Sequence, residues 1–320
     1  MPSPQASEVH VSSLLTGFSV GYLQSLTAYV ADQVFPRMPV TKQSDKYATF
    51  ALADFFRDSM RQRADGTESA GIDYTVSTDS YQTQLFALHM DIGRRVQANA
   101  DAAHNPLQDA TRILTQQELI KRERDWHTTF MTSTPWDTTV TGGTDFEEMG
   151  SASSDPIGFI GDQKLTIQTN TGFEPRTLVT TSKGWLKLRL HPDIVGRVDR
   201  GQTSGAAAPT KADVAALLDL DNIHVSGATY NTAQQGIAAS MARVNTNDAL
   251  LCYVDPNPGL MSPTAGLTFV WTGDVQGAEG RTISTLELPT QKATRVEIES
   301  EWAHKVVSGA LGTFISGFTA

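Results

Sequence analysis

Apolar positions change their spacing several times along the chain. Over "GYLQSLTAYVADQVF", Gly21 to Phe35, the spacing predicts a helix, and the prolines of the following "PRMPV" stop it and favour extended chain. Residues 1 to about 45 therefore read as an arm whose few apolar positions must lie against something else. From Lys46 to Ile92 two strand-like arms flank a polar tip, Arg61 to Gly71, and the second arm ends on Phe86, Leu88, Met90 and Ile92 at period two, the mark of a half-buried strand. Arms of about 20 residues would reach roughly 65 Å, against a radius of gyration of about 20 Å for a compact chain of this length. An isolated two-stranded ribbon is marginal in water, and this tip lacks apolar mass. The favoured reading is a ribbon lying across a neighbouring molecule, with a flap packed on its own domain as the alternative.

The next stretch, "NPLQDATRILTQQELIKRERDWHTTFM", Asn105 to Met131, carries an N-cap asparagine, a proline at the first helical position and no glycine. It predicts a helix about 40 Å long. Projected at 100° per residue, Leu107, Ala110 and Leu114 share one side, Ile113, Ile120 and Met131 a second, and Leu119, Trp126 and Phe130 a third. The apolar stripe thus rotates, as expected of a helix that meets different neighbours at its two ends. "KRERD", Lys121 to Asp125, reads as a solvated, self-paired charge cluster.

Residues 132 to 155 form a Thr, Ser and Gly-rich connector. A second helix should start after Asp155, and strand and helix patterns then alternate through "TLVTT", "SKGWLKLRL", "PTKADVAALLDLDNIHVSGATYNT", "ALLCYVD" and "LTFVWTG". That alternation, over 176 to 285, predicts a compact α/β lobe with its own core. The last segment contains one long strand, in which Val296, Ile298, Trp302 and Val306 alternate with charged residues while Ser300 and His304 interrupt the apolar face. It should return to the sheet near the long helix. The fold class read from the whole is α+β.

With 39% hydrophobic residues in 320, the chain can bury a substantial core. The start lacks the basic and apolar regions of a secretory signal, and no run of about 18 apolar residues occurs, so neither export nor membrane spanning is expected. The single cysteine, Cys252, excludes an internal disulfide and reads as an inert buried thiol. A net charge of −10 makes the molecule repel polyphosphate, although a surface that encloses nucleic acid without gripping it remains compatible.

Catalytic and metal motifs fail on context. "GFSVG", Gly17 to Gly21, fits a nucleophile elbow in letters, yet the strand and the oxyanion loop that must precede such an elbow are missing. "DLDN", Asp219 to Asn222, lacks the glycine and glutamate of a calcium loop and reads as a cap before a strand. The histidines, at 10, 89, 104, 127, 191, 224 and 304, form no H-E-x-x-H and no i, i+4 pair, and no glycine-rich phosphate loop occurs. The carboxylates of "DFEEMG" lie in the connector, a poor place to fix an acid and a base. No catalytic residue, cofactor or metal is expected.

The order of elements, together with "VADQVFPRMPVTKQSDKYATFALADFFRD", "NPLQDATRILTQQELIKRERDW", "TGFEPRTLVTTSKGWLKLRLHPDIVGRV" and "HVSGATYNTA", resembles the major capsid proteins of tailed bacteriophages with the Hong Kong 97 fold. The resemblance runs from about Ala31 to the C-terminus. It implies an N-terminal arm (1–45), an E-loop (46–93), a peripheral domain (94–175 and 286–320) with its spine helix at 105–131, and an axial domain (176–285). It also implies self-assembly into hexamers and pentamers that close an icosahedral shell around double-stranded DNA, without sequence-specific binding and without a membrane. The namesake of the family joins subunits covalently through an E-loop lysine, whereas here no lysine lies between Lys46 and Lys121 and the tip carries Arg61 and Arg63. Arginine cannot form that isopeptide bond. A non-covalent shell follows as the expectation, with Arg61, Arg63, Asp65 and Glu68 as candidate inter-subunit contacts. The short segment before the hairpin implies a separate scaffolding protein, beside a portal and decoration proteins as further partners, with assembly in the host cytoplasm and the virion capsid as destination. Two rivals stand: an encapsulin-type nanocompartment shell, and a soluble α/β enzyme whose residues converge only in space.

Overall fold

The computed structural model describes residues 23–100, 105–198, 209–257, 259, 262–273 and 280–319. "GFSVG", His10 and His104 lie outside the described residues, as do Gly21 and Tyr22 at the head of the expected first helix.

In chain order the elements are α1 (Ala31–Val34), β1 (Arg37–Val40), β2 (Ser44–Phe50), α2 (Leu52–Phe55), β3 (Val76–Gln82), β4 (Gln84–Gly93), α3 (Arg94–Asn99) and α4 (Pro106–Phe130). Then follow β5 (Thr138–Thr141), α5 (Pro156–Thr171), β6 (Thr177–Thr181), α6 (Ser182–Arg189), α7 (Pro192–Val198), α8 (Lys211–Leu217) and β7 (Asn222–Ser226). The chain closes with β8 (Thr229–Asn231), β9 (Met241–Arg243), β10 (Ala249–Cys252), β11 (Gly266–Trp271), β12 (Arg281–Leu288), β13 (Ala293–Val306) and β14 (Gly312–Ser316).

Two five-stranded sheets organise the molecule. In the first, β13 is the central strand: β4 and β11 pair along one side and β12 along the other, all antiparallel, while β1 joins the outer edge of β11 in parallel. The second runs β5-β14-β10-β6-β7. Both of its faces are buried, so alternate residues serve different cores. Val179, Leu250 and Phe314 face a cluster with Phe35, Trp126, Phe130 and Trp136. Their neighbours Leu178, Leu251 and Ile315 face a second cluster with Ile160, Leu188, Ile194 and Val214 from α5 to α8 and Phe318 from beyond β14.

The long helix α4 begins as its sequence predicts. The Asn105 side chain accepts hydrogen bonds from the backbone N–H groups of Leu107 and Gln108, and Pro106 occupies the first turn, where its missing N–H costs nothing. At 25 residues it spans about 38 Å and lies across β13. The second helix is capped by Asp155, which accepts from Gly158, and ends at Gly172, whose φ of 77° suits a residue without a Cβ.

Several expectations are revised. The single helix expected over 21–35 is instead a 3-10 turn at Leu26–Ala28 followed by the four-residue α1, because the Glu123 carboxylate captures the N–H groups of Val30 and Ala31 and starts a new turn there. The two arms of the ribbon are shorter than the pattern indicates: β2 pairs with β3 over seven residues each, while the alternating run at 84–93 turns away to pair with β13 from Gln84↔Trp302 to Gly93↔Ala293. The connector is ordered, since β5 pairs in parallel with β14 and both Trp136 and Met149 are buried. The expected partition at 175/176 and 285/286 does not follow the sheets. β11, inside 176–285, belongs to the β13 sheet, and β14, inside 286–320, inserts between β5 and β10.

The rotating stripe on α4 is present, but part of it is charged. Its buried residues are Ala110, Leu114, Glu118, Leu119, Arg122, Glu123, Trp126, His127 and Phe130. At 100° per residue these wind by about 200° from Ala110 to Phe130, with charged residues in the middle and Ile113 off the path, exposed; Ala110 and Leu114 meet Ile92, Val296 and Ile298, whereas Trp126 and Phe130 meet Phe35 and Val179. Of "KRERD", only the Lys121–Asp125 pair at 2.6 Å behaves as a solvated i, i+4 contact; Arg122 and Glu123 are buried.

Candidate functional site

Two regions carry more than packing: the buried polar knot beneath α4, and the ribbon that leaves the first sheet.

Arg122 donates to Asp32 of the arm at 3.1 Å and lies 2.9 Å from Glu118, which also meets Arg281 at 3.4 Å. Asp32 is shared with Arg37 at 2.8 Å. The Glu123 Oε2 accepts from Val30 N and Ala31 N, both at 2.9 Å, and its Oε1 meets Ser226 Oγ and His127 Nε2, both at 3.1 Å. Buried charges are tolerated only when paired and hydrogen-bonded, and here Arg122, with Arg37 and Arg281 toward the rim, is set against Asp32 and Glu118, while Glu123 is met by backbone N–H groups, Ser226 and His127. The knot ties the arm, α4 and the end of β7 into one body. On the other flank of α4, Lys121 lies over the Phe86 ring and Arg122 over Trp302, both at 4.8 Å, and these two rings stack on each other at 4.3 Å. His304 is driven to about 3 by burial and then by the Arg122 charge, so it stays neutral, bonded through Nδ1 to Thr268 Oγ1 at 3.0 Å.

Ser226, His127 and Glu123 look like a nucleophilic triad in composition. Serine and carboxylate, however, both contact the same ring atom, Nε2, and His127 Nδ1 is buried without a partner. A relay needs the acid on the opposite nitrogen from the nucleophile. The cluster is an arm lock. Cys252 is fully buried, and burial pushes its thiol above the ordinary range.

The ribbon is anchored at its base. Tyr81 stacks on Phe269 at 4.4 Å, and Asp79 accepts from the Tyr47 hydroxyl at 2.8 Å and meets Lys305 at 3.0 Å. The Asp79 carboxyl is held below the usual carboxylate range, its burial outweighed by the Tyr47 and Lys305 hydrogen bonds. Beyond the paired strands, Arg61, Arg63, Asp65 and Glu68 are all exposed around a turn in which Thr67 N bonds Ala64 O and Gly66 sits at φ 78°. The tip is polar, as expected, but its neck is not. Leu52, Phe55, Phe56, Met60, Ile72, Tyr74 and Val76 are exposed, with Phe50 within about 6 Å of both Phe55 and Tyr74. Soluble monomers rarely leave so many large apolar side chains on one projection.

The sequence reading missed the knot entirely. The signal was present as a four-residue spacing, Ala110, Leu114, Glu118, Arg122, Trp126 and Phe130, that treats charged and apolar residues alike.

A chain with a locked arm, a rigid helical spine and an apolar-necked ribbon reaching away from its own core is a subunit completed by neighbours. Its relatives agree with that class. It is similar over nearly its whole length to the major capsid protein of Pseudomonas phage JBD67, 27% identical over 319 residues that cover 96% of each chain. It is similar also to the major capsid protein of Burkholderia phage BcepMu, 24% identical over 226 residues, 69% of this chain and 70% of that one. No family model matches the chain. Among solved structures it superposes on a phage-related protein of Bordetella bronchiseptica RB50 with a TM-score of 0.67 at 20% identity, covering 96% and 97% of the two chains. The capsid of cyanophage P-SCSP1u follows at 0.59 and 11% identity, with 93% and 91% covered. The SrpI encapsulin of Synechococcus elongatus PCC 7942 superposes at 0.54 and 9% identity, with 94% and 92% covered. The α+β fold is thus that of phage capsid chains, the Hong Kong 97 type read from the sequence.

Proposed function

We propose that this chain is the major capsid protein of a tailed bacteriophage, assembling with copies of itself into the hexamers and pentamers of an icosahedral shell around a double-stranded DNA genome. The observation that carries this reading is the collinear match to the JBD67 major capsid protein across 96% of both chains, because it includes the arm, the ribbon, the spine and both sheets in order. The role is structural, and its working surfaces are the contacts between copies. In this reading residues 1–45 are the N-arm, the ribbon is the E-loop, the β13 sheet with α4 is the peripheral domain, and the lobe of α5 to α8 is the axial domain. A net charge of −10 suits a wall that holds DNA without condensing on it. A separate scaffolding protein, a portal and decoration proteins complete the proposed set of partners, with assembly in the host cytoplasm and the virion as destination.

Electron microscopy of the purified full-length chain tests the reading. Closed particles, irregular in size without the scaffolding protein, are expected, whereas a monomer or dimer with no particle of megadalton size overturns it. The SrpI likeness keeps an encapsulin shell as a second reading, and it is separated by cargo: packaged double-stranded DNA supports the capsid, an enclosed enzyme the nanocompartment. The shell is non-covalent, with Arg61, Arg63, Asp65 and Glu68 meeting neighbouring copies. Boiled particles should run as a single chain of 34.6 kDa in SDS, and a ladder of linked subunits refutes this point.

A further inference from the structure

A second projection lies outside the parts just named. The strands β8 and β9 pair only with each other, and a lone two-stranded ribbon is marginal in water unless something else holds it. This one is held rigidly at its root. Gln24 of the arm bonds both the N–H and the carbonyl of Thr229, Gly227 N donates to Ala28 O, and Val244 N donates to Ala228 O. The Arg124 guanidinium lies 4.5 Å over the Tyr230 ring. Its loop is preorganised as well: Asn231 Oδ1 accepts from Ala233 N and Ser240 N, while Thr232 N and Oγ1 both donate to Ser240 O.

The loop that this rigid frame displays is apolar and uncharged, and the exposed Arg124 and Arg243 lie at its root. From Val225 to Ala242 no Asp, Glu, Lys, Arg or His occurs, and the arm residues beside it, Leu23 to Ala31, are equally free of charge. Ile237 and Met241 are 65% and 61% exposed on the ribbon, and Leu23 and Leu26 are 55% and 70% exposed on the arm. Two segments some two hundred positions apart are thereby stitched, through Gln24 and Thr229, into one neutral surface.

Charge decides the occupant. Copies carrying −10 each repel, so they meet best where charges are either paired or absent. With its cations, Arg124 and Arg243, confined to the root, the loop bearing Ile237 and Met241 offers little to phosphate and no charged complement to an acidic or basic partner. We infer that the β8–β9 ribbon with Leu23 and Leu26 is a docking surface for a second copy of this chain, a contact separate from the E-loop. The inference rests on the shell reading. Four apolar side chains bury far less than the ~1,000 Å² a stable pair needs, so the contact holds only inside the closed assembly.

The buried Cys252 makes the test clean, because an introduced thiol reacts alone with a maleimide in the folded protein. In the full-length Ile237→Cys chain, labelling should slow by about tenfold or more on passing from free chains to purified particles, as expected for a side chain buried in an interface core. Met241→Cys provides an independent second position. Equal labelling rates in free chains and particles overturn the contact and leave the shell reading intact. Slow labelling already in the free chain also overturns it, since the patch would then be covered within one copy. Failure of the wild-type chain to form particles overturns both.

Discussion

Removing the carboxylate of Glu123 should release the arm from the spine. Its Oε2 is the acceptor for the buried N–H groups of Val30 and Ala31, each at 2.9 Å, and these cannot be satisfied within the four-residue α1 because they belong to its first turn. Hydrogen bonds to a charged acceptor contribute about 1.5–3 kcal/mol each, so Glu123→Ala should cost about 3–6 kcal/mol from these two alone. That is a large part of the ~5–15 kcal/mol that holds a typical domain. Glu123→Gln should cost less than half as much, since its amide oxygen can still accept from both N–H groups while its NH₂ faces Ser226 Oγ. The assay is urea unfolding of unassembled subunits at fixed concentration, because assembly itself adds stability by mass action. Amide exchange at Val30 and Ala31 reports the lock locally and should accelerate in the alanine variant before global unfolding does. Loss of less than about 1 kcal/mol in Glu123→Ala, with Val30 and Ala31 as protected as in the parent, would refute the arm lock.

The remaining predictions concern single groups. Burial holds the Asp248 carboxyl above its ordinary range, against the opposing Gly317 N–H at 3.1 Å and the nearby His127. With the folded pKa above the unfolded one, its contribution is fully present in acid and is lost as pH rises through the folded value. Asp248→Asn should therefore raise Tm at neutral pH and not in acid; a gain that grows as pH falls contradicts the assignment. Cys252 should be silent toward a thiol reagent in the native subunit and react only as the chain unfolds, so a stoichiometric reaction under native conditions would show that its strand opens readily.

Elements whose signals are local were legible in the sequence. The cap and length of α4, the cap of α5, the strand β6 and the long β13 all follow from patterns contained within each element. Pairing was not legible, because β4 carries the same alternation whether its partner is β2 or β13, and only the register with β13 reveals the choice. The arm was misread for a related reason: its helix is cut at Val30 by a carboxylate 93 positions away. The knot was hidden by the convention that charged means exposed. Glu118, Arg122 and Glu123 continue the buried face of α4 in the same four-residue rhythm as Leu114 and Trp126, so the winding face is bridged by charged residues between its two apolar ends. The candidate contacts Arg61, Arg63, Asp65 and Glu68 lie on the tip where the sequence put them, and the apolar neck below them was passed over because its residues follow no strand or helix period.

The two sheets are sewn together by chain crossings, and the last crossing carries the greatest consequence. Read as a terminal segment, residues 312 to 319 invite the expectation that they can be lost cheaply, as chain ends often can. In the structure β14 lies inside the second sheet, antiparallel to β10 on one side and parallel to β5 on the other. It contributes Phe314 to the cluster shared with α4, and Ile315 to the cluster under α5 to α8, where Phe318 joins it. Burying such side chains contributes about 1.5–3 kcal/mol apiece, so losing three costs roughly 5–9 kcal/mol before the two broken ladders are counted. Deleting the chain from Gly312 onward should therefore abolish the cooperative melt of the subunit, not merely lower it, and leave β5 without a strand partner. A truncated chain that stays soluble, with native circular dichroism and a sigmoidal melt, would mean that β10 can close the sheet alone and that the late strand matters only to neighbours.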